Sequence, residues 1–198
     1  MPPDATPIRD EMEGALVEHA DIPGLLAVPL VRHLDGRGSF LKSYNSEMFA
    51  RLGLDHHWHE AFYSWSNPGV VRGLHFQVPP YSHAKSVLCL AGRILDVVVD
   101  LRQGSPTERR CSERVLDASD PMAIQIPHGC AHGFAVLGPS PALVAYLVSS
   151  VHHPAADSGI LWSSVPASWP SRTPILSDRD ASFPALSNFT SPFHLPSC

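Results

Sequence analysis

Residues Gly69 to Asp100 read GVVRGLHFQVPPYSHAKSVLCLAGRILDVVVD, and this stretch decides the fold. Ile94 to Val99 is an apolar run with almost no polar interruption, the pattern of a buried strand. Val71 to Phe76 alternates, which predicts a preceding strand with Arg72, Leu74 and Phe76 on one face and Val71, Gly73 and His75 on the other. Glycine beside His75 leaves room for a ligand or for another strand. The prolines of Val78-Pro79-Pro80-Tyr81-Ser82 remove ladder donors, so this segment is a loop. Lys85 opens the next strand, from which it can reach back towards His75.

Outward from this stretch, the chain of 198 residues suits one domain able to bury a core without staples. Its 20 prolines, 13 glycines and short apolar runs favour an all-β barrel or sandwich over a helical bundle. Strands are expected at Leu25 to Arg32, Ser39 to Tyr44 and Trp58 to Ser66, with Asn45 capping a short helix from Ser46 to Leu52. After Asp100 they resume at Ser112 to Leu116, Met122 to Ile126, Gly133 to Leu137 and Leu143 to Ser149. Residues 1–22 read as an arm, 23–182 as the domain and 183–198 as a loosely held tail.

Cys89, Cys111, Cys130 and Cys198 show no CxxC spacing, and Cys89 fits a small buried hydrophobe. No signal-like opening and no bilayer-length apolar run is present, so a cytoplasmic protein without membrane association is the default expectation. A formal net charge of -5 argues against general nucleic-acid binding while allowing a local anion site.

Collinear segments then carry a family resemblance: GVVRGLHFQ (69–77), DVVVDLR with SPT (96–107), IPHGCAHGF (126–134), GILW (159–162) and LSDRD (176–180). Together they resemble the dTDP-4-dehydrorhamnose 3,5-epimerase family of cupin-like barrels over about Leu25 to Asp180. The resemblance implies a jelly-roll barrel of two antiparallel sheets with a few short helices. It also implies a homodimer that exchanges N-terminal strands, and epimerisation of a nucleotide-diphosphate 4-keto-6-deoxyhexose with no metal or organic cofactor.

By that resemblance His75 is the base that removes the proton next to the ketone, and Asp180 orients it. Lys85 faces the keto oxygen, and Tyr146 returns a proton to the opposite face of the sugar. His132 lines the pocket and supports the dyad, while Arg72 and Arg37 grip the diphosphate through their guanidinium forks. Gln77 completes the GVVRGLHFQ segment on the substrate side. Without the resemblance, His75 reads better as a hydrogen-bonded residue of the barrel wall, and Arg37, in a turn, reads almost as well as a surface ion-pair partner.

The chain departs from the family at Lys42, where an acidic residue is common, and at Glu60, where a glutamine is. Val151-His152-His153 replaces an aromatic pair. All three places are expected near the nucleotide and sugar. Two rivals are a metal-dependent cupin and a binding barrel that has lost the reaction. Metal-binding cupins resemble one another in a glutamate seven residues before the strand-turn glycine; counting back from Gly92 gives Lys85, a cation that would repel a divalent metal. His56, His57 and His59 read as a solvated patch.

Overall fold

A computed structural model describes residues 18–54 and 57–195. Thirteen strands and two short α-helices account for its regular structure, apart from two single-turn 3₁₀ segments. The strands are β1 (Glu18–His19), β2 (Leu26–Pro29), β3 (Arg32–Asp35), β4 (Gly38–Leu41), β5 (Glu60–Ser66), β6 (Val71–Gln77) and β7 (Lys85–Ala91). They continue as β8 (Arg93–Asp100), β9 (Cys111–Asp117), β10 (Met122–Ile126), β11 (Cys130–Val136), β12 (Ala142–Val148) and β13 (Asp157–Gly159). One sheet has the order β1-β2-β10-β7-β12-β5 and the other β13-β6-β11-β8-β9, while β3 and β4 pair only with each other. All strand pairings within the sheets are antiparallel. This is the jelly-roll arrangement expected from the sequence.

The apolar run in β8, broken only by Asp96, has a direct cause: both faces of the strand are covered. Ile94 and Val98 point into the barrel, where they meet Val87, Ile124, Phe134 and Val144 from the other strands. Leu95, Val97 and Val99 point outward and pack beneath Ile160, Trp162, Leu186 and Phe193. The outer face of the other sheet is closed by α1 (Ser46–Arg51), whose Met48 and Phe49 pack on Val28, Leu88 and Ala123. Asn45 caps this helix as expected, its Oδ1 accepting the Met48 N–H at 3.0 Å.

Two expectations need correction. The first long strand stops at Pro29, which has no N–H to carry the ladder on, and Arg32 begins a separate hairpin turning through Gly36 and Arg37. From Phe183 to Leu195 the tail is not loosely held. Phe76 needs cover on the outer face of β6, and the rings of Phe189 and Phe193 supply it at 5.1 and 5.7 Å. Gln103 N–H donates to Phe193 O, and Leu195 N–H to Gln103 O, which fixes the backbone there as well. The expected arm falls largely on residues outside those described.

Phe193 is buried, whereas Ile175 is mostly exposed. Phe193→Ala is expected to cost about 3 kcal/mol in urea unfolding, because it empties a filled apolar site. Ile175→Ala should stay within about 0.5 kcal/mol.

Candidate active site

Between the two sheets, towards one end of the barrel, lies a cavity of ≈ 260 Å³. His75 and Arg72 enter it from β6, His132 from β11, Lys85 from β7 and Tyr146 from β12. The simple alternation expected for β6 would have put Arg72 and His75 on opposite faces. It fails because His132 pairs with His75 while Phe134 pairs with Arg72, so three steps on β6 oppose two on β11. That extra residue is a β-bulge and reverses the parity. Val71, Leu74 and Phe76 consequently share the outer core.

Gly73 sits in the bulge at φ 120°, and a β-carbon there would lie 2.6 Å from Gly133 Cα and 2.9 Å from His132 O. The room left by this glycine is therefore taken by another strand. Its N–H donates to Asp180 Oδ2 at 3.0 Å. Asp180 belongs to the short helix α2 (Asp178–Ala181), capped by Ser177, whose Oγ accepts the Asp180 N–H.

The other carboxylate oxygen, Asp180 Oδ1, is 2.8 Å from His75 Nε2. A carboxylate only accepts, so the shared proton resides on Nε2 and leaves Nδ1 as the basic nitrogen. Burial pushes the His75 pKa below its ordinary value, against the opposing pull of Asp180. The ring is neutral at physiological pH and ready to take a proton. Burial alone would raise the Asp180 carboxyl, but hydrogen bonds from His75 and Gly73 hold it below the usual range.

Lys85 is buried and donates through Nζ to His75 O at 3.0 Å. Burial lowers its pKa to about 8, with Asp157 and Asp96 opposing the shift. Tyr146 is pushed well above an ordinary phenol by burial and by Asp96, and so keeps its proton. Its ring lies parallel to Phe62, centroids 4.7 Å apart.

His132 does not touch the His75–Asp180 pair through its own bond. Its Nε2 meets Asp96 Oδ2 at 2.7 Å, both groups being buried. Asp96 was missed as a site residue, although a lone carboxylate amid Ile94 to Val99 is the signal that would have found it. Arg179 was also passed over inside LSDRD: it lines the cavity, pairs with Asp157 at 2.7 Å and lies over the Phe183 ring.

Arg72 is braced against β5, Nε to Ser66 Oγ at 2.8 Å and Nη2 to Trp65 O at 3.3 Å. Glu60 lines the cavity and accepts the His152 N–H at 2.7 Å. Gln77 also reaches the cavity, yet its amide is committed to the protein. Nε2 donates to Tyr81 O and His83 Nδ1, and Oε1 accepts the His153 N–H at 2.5 Å. It ties the loop carrying Tyr81 and His83 to the one carrying His153 at the cavity wall.

Arg37 and Lys42 are not brought to the cavity of their own chain. Arg37 is 91% exposed at the hairpin tip and pairs with Asp35, because that hairpin joins neither sheet. His57 and His59 are exposed and line no part of the cavity, while His56 lies outside the described residues. Among the described residues, no group of three or more His, Cys, Asp or Glu is placed to hold a metal ion.

Because the Asp180 charge favours the imidazolium, Asp180→Asn should move the His75 titration to still lower pH, read from its ring proton resonances by NMR. An unchanged or raised His75 pKa would show that the carboxylate does not govern the ring.

The family model for dTDP-4-dehydrorhamnose 3,5-epimerase matches residues 19–188. The chain is 37% identical over 163 residues to the enzyme of that name from Shigella flexneri, covering 81% of this chain and 90% of the relative. It is 38% identical to a dTDP-4-dehydrorhamnose 3-epimerase of Streptomyces niveus, over 80% of this chain and 78% of the relative. A crystal structure of the Legionella pneumophila dTDP-6-deoxy-D-glucose-3,5-epimerase in complex with dTDP-4-keto-L-rhamnose superimposes with a TM-score of 0.85 at 30% identity. That superposition covers 91% of this chain and 98% of the other. With the segments quoted from its sequence, its jelly-roll fold and these likenesses in agreement, the chain belongs to the dTDP-4-dehydrorhamnose 3,5-epimerase family.

Proposed function

We propose that this isomerase inverts both carbons next to the ketone of a dTDP-linked 4-keto-6-deoxyhexose, with His75 as base and Tyr146 as proton donor. The observation that carries the reading is the opposition of these groups: His75 projects from β6 in one sheet and Tyr146 from β12 in the other. A sugar ring lying between them meets a base on one face and a phenol on the other. His75 Nδ1 takes the carbon-bound proton, and the C–H pair becomes the enolate double bond as the carbonyl pair moves onto oxygen. The Lys85 ammonium offsets that negative charge. Tyr146 O–H then protonates the carbon from the far side, the ketone re-forms, and the dyad and phenol re-equilibrate with water.

Arg72 holds the diphosphate, and Glu60 and His152 border the nucleotide side. In deuterated water the enzyme should place deuterium at C3 and C5, and His75→Ala should reduce this by about 10²-fold or more. Arg72→Ala should raise KM with a smaller effect on kcat. Full exchange by His75→Ala would remove His75 as base. Inhibition by dTDP but not by UDP, GDP or CDP would support the thymidine assignment.

The pH profile of kcat/KM follows from the two shifts. Activity requires neutral His75 and charged Lys85, so it falls on the acid side below the ordinary imidazole range and on the alkaline side near pH 8. Lys85→Met should remove the alkaline limb along with most of the rate.

We also infer a homodimer. The β3–β4 hairpin exposes Leu34 by 77% and Phe40 by 51%, and two strands alone are marginally stable in water. A second copy covering this ribbon would bury both side chains and could receive Arg37 and Lys42. Sedimentation should give twice the chain mass, and Leu34→Asp with Phe40→Asp should yield monomers.

A further inference from the structure

Tyr146 and Phe62 are direct cross-strand partners on β12 and β5. Their rings are nearly parallel, 14° apart with centroids at 4.7 Å, which is stacking distance. The edge of His132 meets Tyr146 at 6.0 Å and 70°, and His132 is itself fixed by Asp96. The phenol ring thus stacks on Phe62 and also contacts an anchored imidazole. Phe62 lines the cavity, is 44% exposed and stands on an edge strand, so it is not part of the apolar core.

We propose that Phe62 is a positioning residue for Tyr146: its ring holds the phenol at the place from which the enolate is protonated on the face opposite His75. This rests on Tyr146 being the proton donor. Once formed, the enolate has two fates. Return of a proton from His75 restores the starting configuration, whereas delivery from Tyr146 inverts the carbon. In deuterated water the first gives exchange without inversion. The ratio of inversion to exchange therefore reports where the phenol stands, independently of how fast His75 works.

The test measures that ratio for the unaltered enzyme and for Phe62→Ala, Phe62→Leu, Phe62→Tyr and Tyr146→Phe, by deuterium content and by configuration of the product. Phe62→Ala and Phe62→Leu are expected to lower it by roughly two- to tenfold, the factor that an aromatic pair contributes. Phe62→Tyr, which keeps the ring, should restore it, with KM little changed throughout. A ratio in Phe62→Leu and Phe62→Ala equal to that of the unaltered enzyme, alongside a collapsed ratio in Tyr146→Phe, overturns the role of Phe62 and leaves Tyr146 standing. A ratio unmoved by Tyr146→Phe overturns the assignment of the donor, and this inference with it. If Phe62→Ala does not fold, Phe62→Leu carries the same decision.

Discussion

β6 and β11 approach so closely at Gly73 and Gly133 that neither position has space for a β-carbon. At Gly133 it would lie 2.5 Å from Arg72 O, and at Gly73 it would strike Gly133 itself. That contact and the bulge it accompanies turn Arg72 and His75 to the same side of the strand. They also aim the Gly73 N–H at Asp180, drawing the C-terminal segment onto the sheet. The placement of His75, Asp180 and Arg72 therefore depends on one backbone crossing. No side-chain substitution elsewhere could recreate it.

The cavity groups are held against the cost of burying charge. Asp180, with a pKa depressed in the folded state, contributes stability that is present above the ordinary carboxylate range and lost as pH falls through its folded value. Lys85 acts in the opposite sense. Its pKa falls from 10.5 to about 8, so the charged form is disfavoured by roughly 3 kcal/mol at neutral pH. That penalty disappears only as pH rises past both values. A buried ammonium beside His75 is thus held at the expense of the fold, a perturbation of the kind that clusters at functional sites.

Much of this was legible in the sequence because local chemistry determined it. The β8 run, the Asn45 cap, the loop before Lys85 and each of the collinear family segments are written in a few consecutive residues. What escaped depends on distant partners. The parity of β6 is set by β11, so alternation alone gave Arg72 the wrong face. The tail looks polar and proline-rich, but Leu186 and Phe193 are needed where Leu95, Val97 and Val99 would otherwise face water. Arg37 matched a family position, yet its hairpin pairs with neither sheet and leaves its guanidinium on Asp35. Gln77 lines the cavity, and its bonds to Tyr81, His83 and His153 come from loops that its own segment does not reveal.

Antiparallel order explains why the reactive groups gather at one end. The inward positions of β7 run Lys85, Val87, Cys89, and those of β12 run Ala142, Val144, Tyr146. Since these strands run in opposite directions, the polar start of one lies beside the polar end of the other, with Tyr146 opposite Val87 and Val148 opposite Lys85. The same holds across the barrel, where His132 near the start of β11 faces His75 near the end of β6. Further along these strands Ile94 and Val136, paired across β8 and β11, fill the far end with apolar side chains. One end is consequently a packed core and the other a lined cavity. A molecule entering it meets the inner faces of both sheets at once, with His75 on one and Tyr146 on the other.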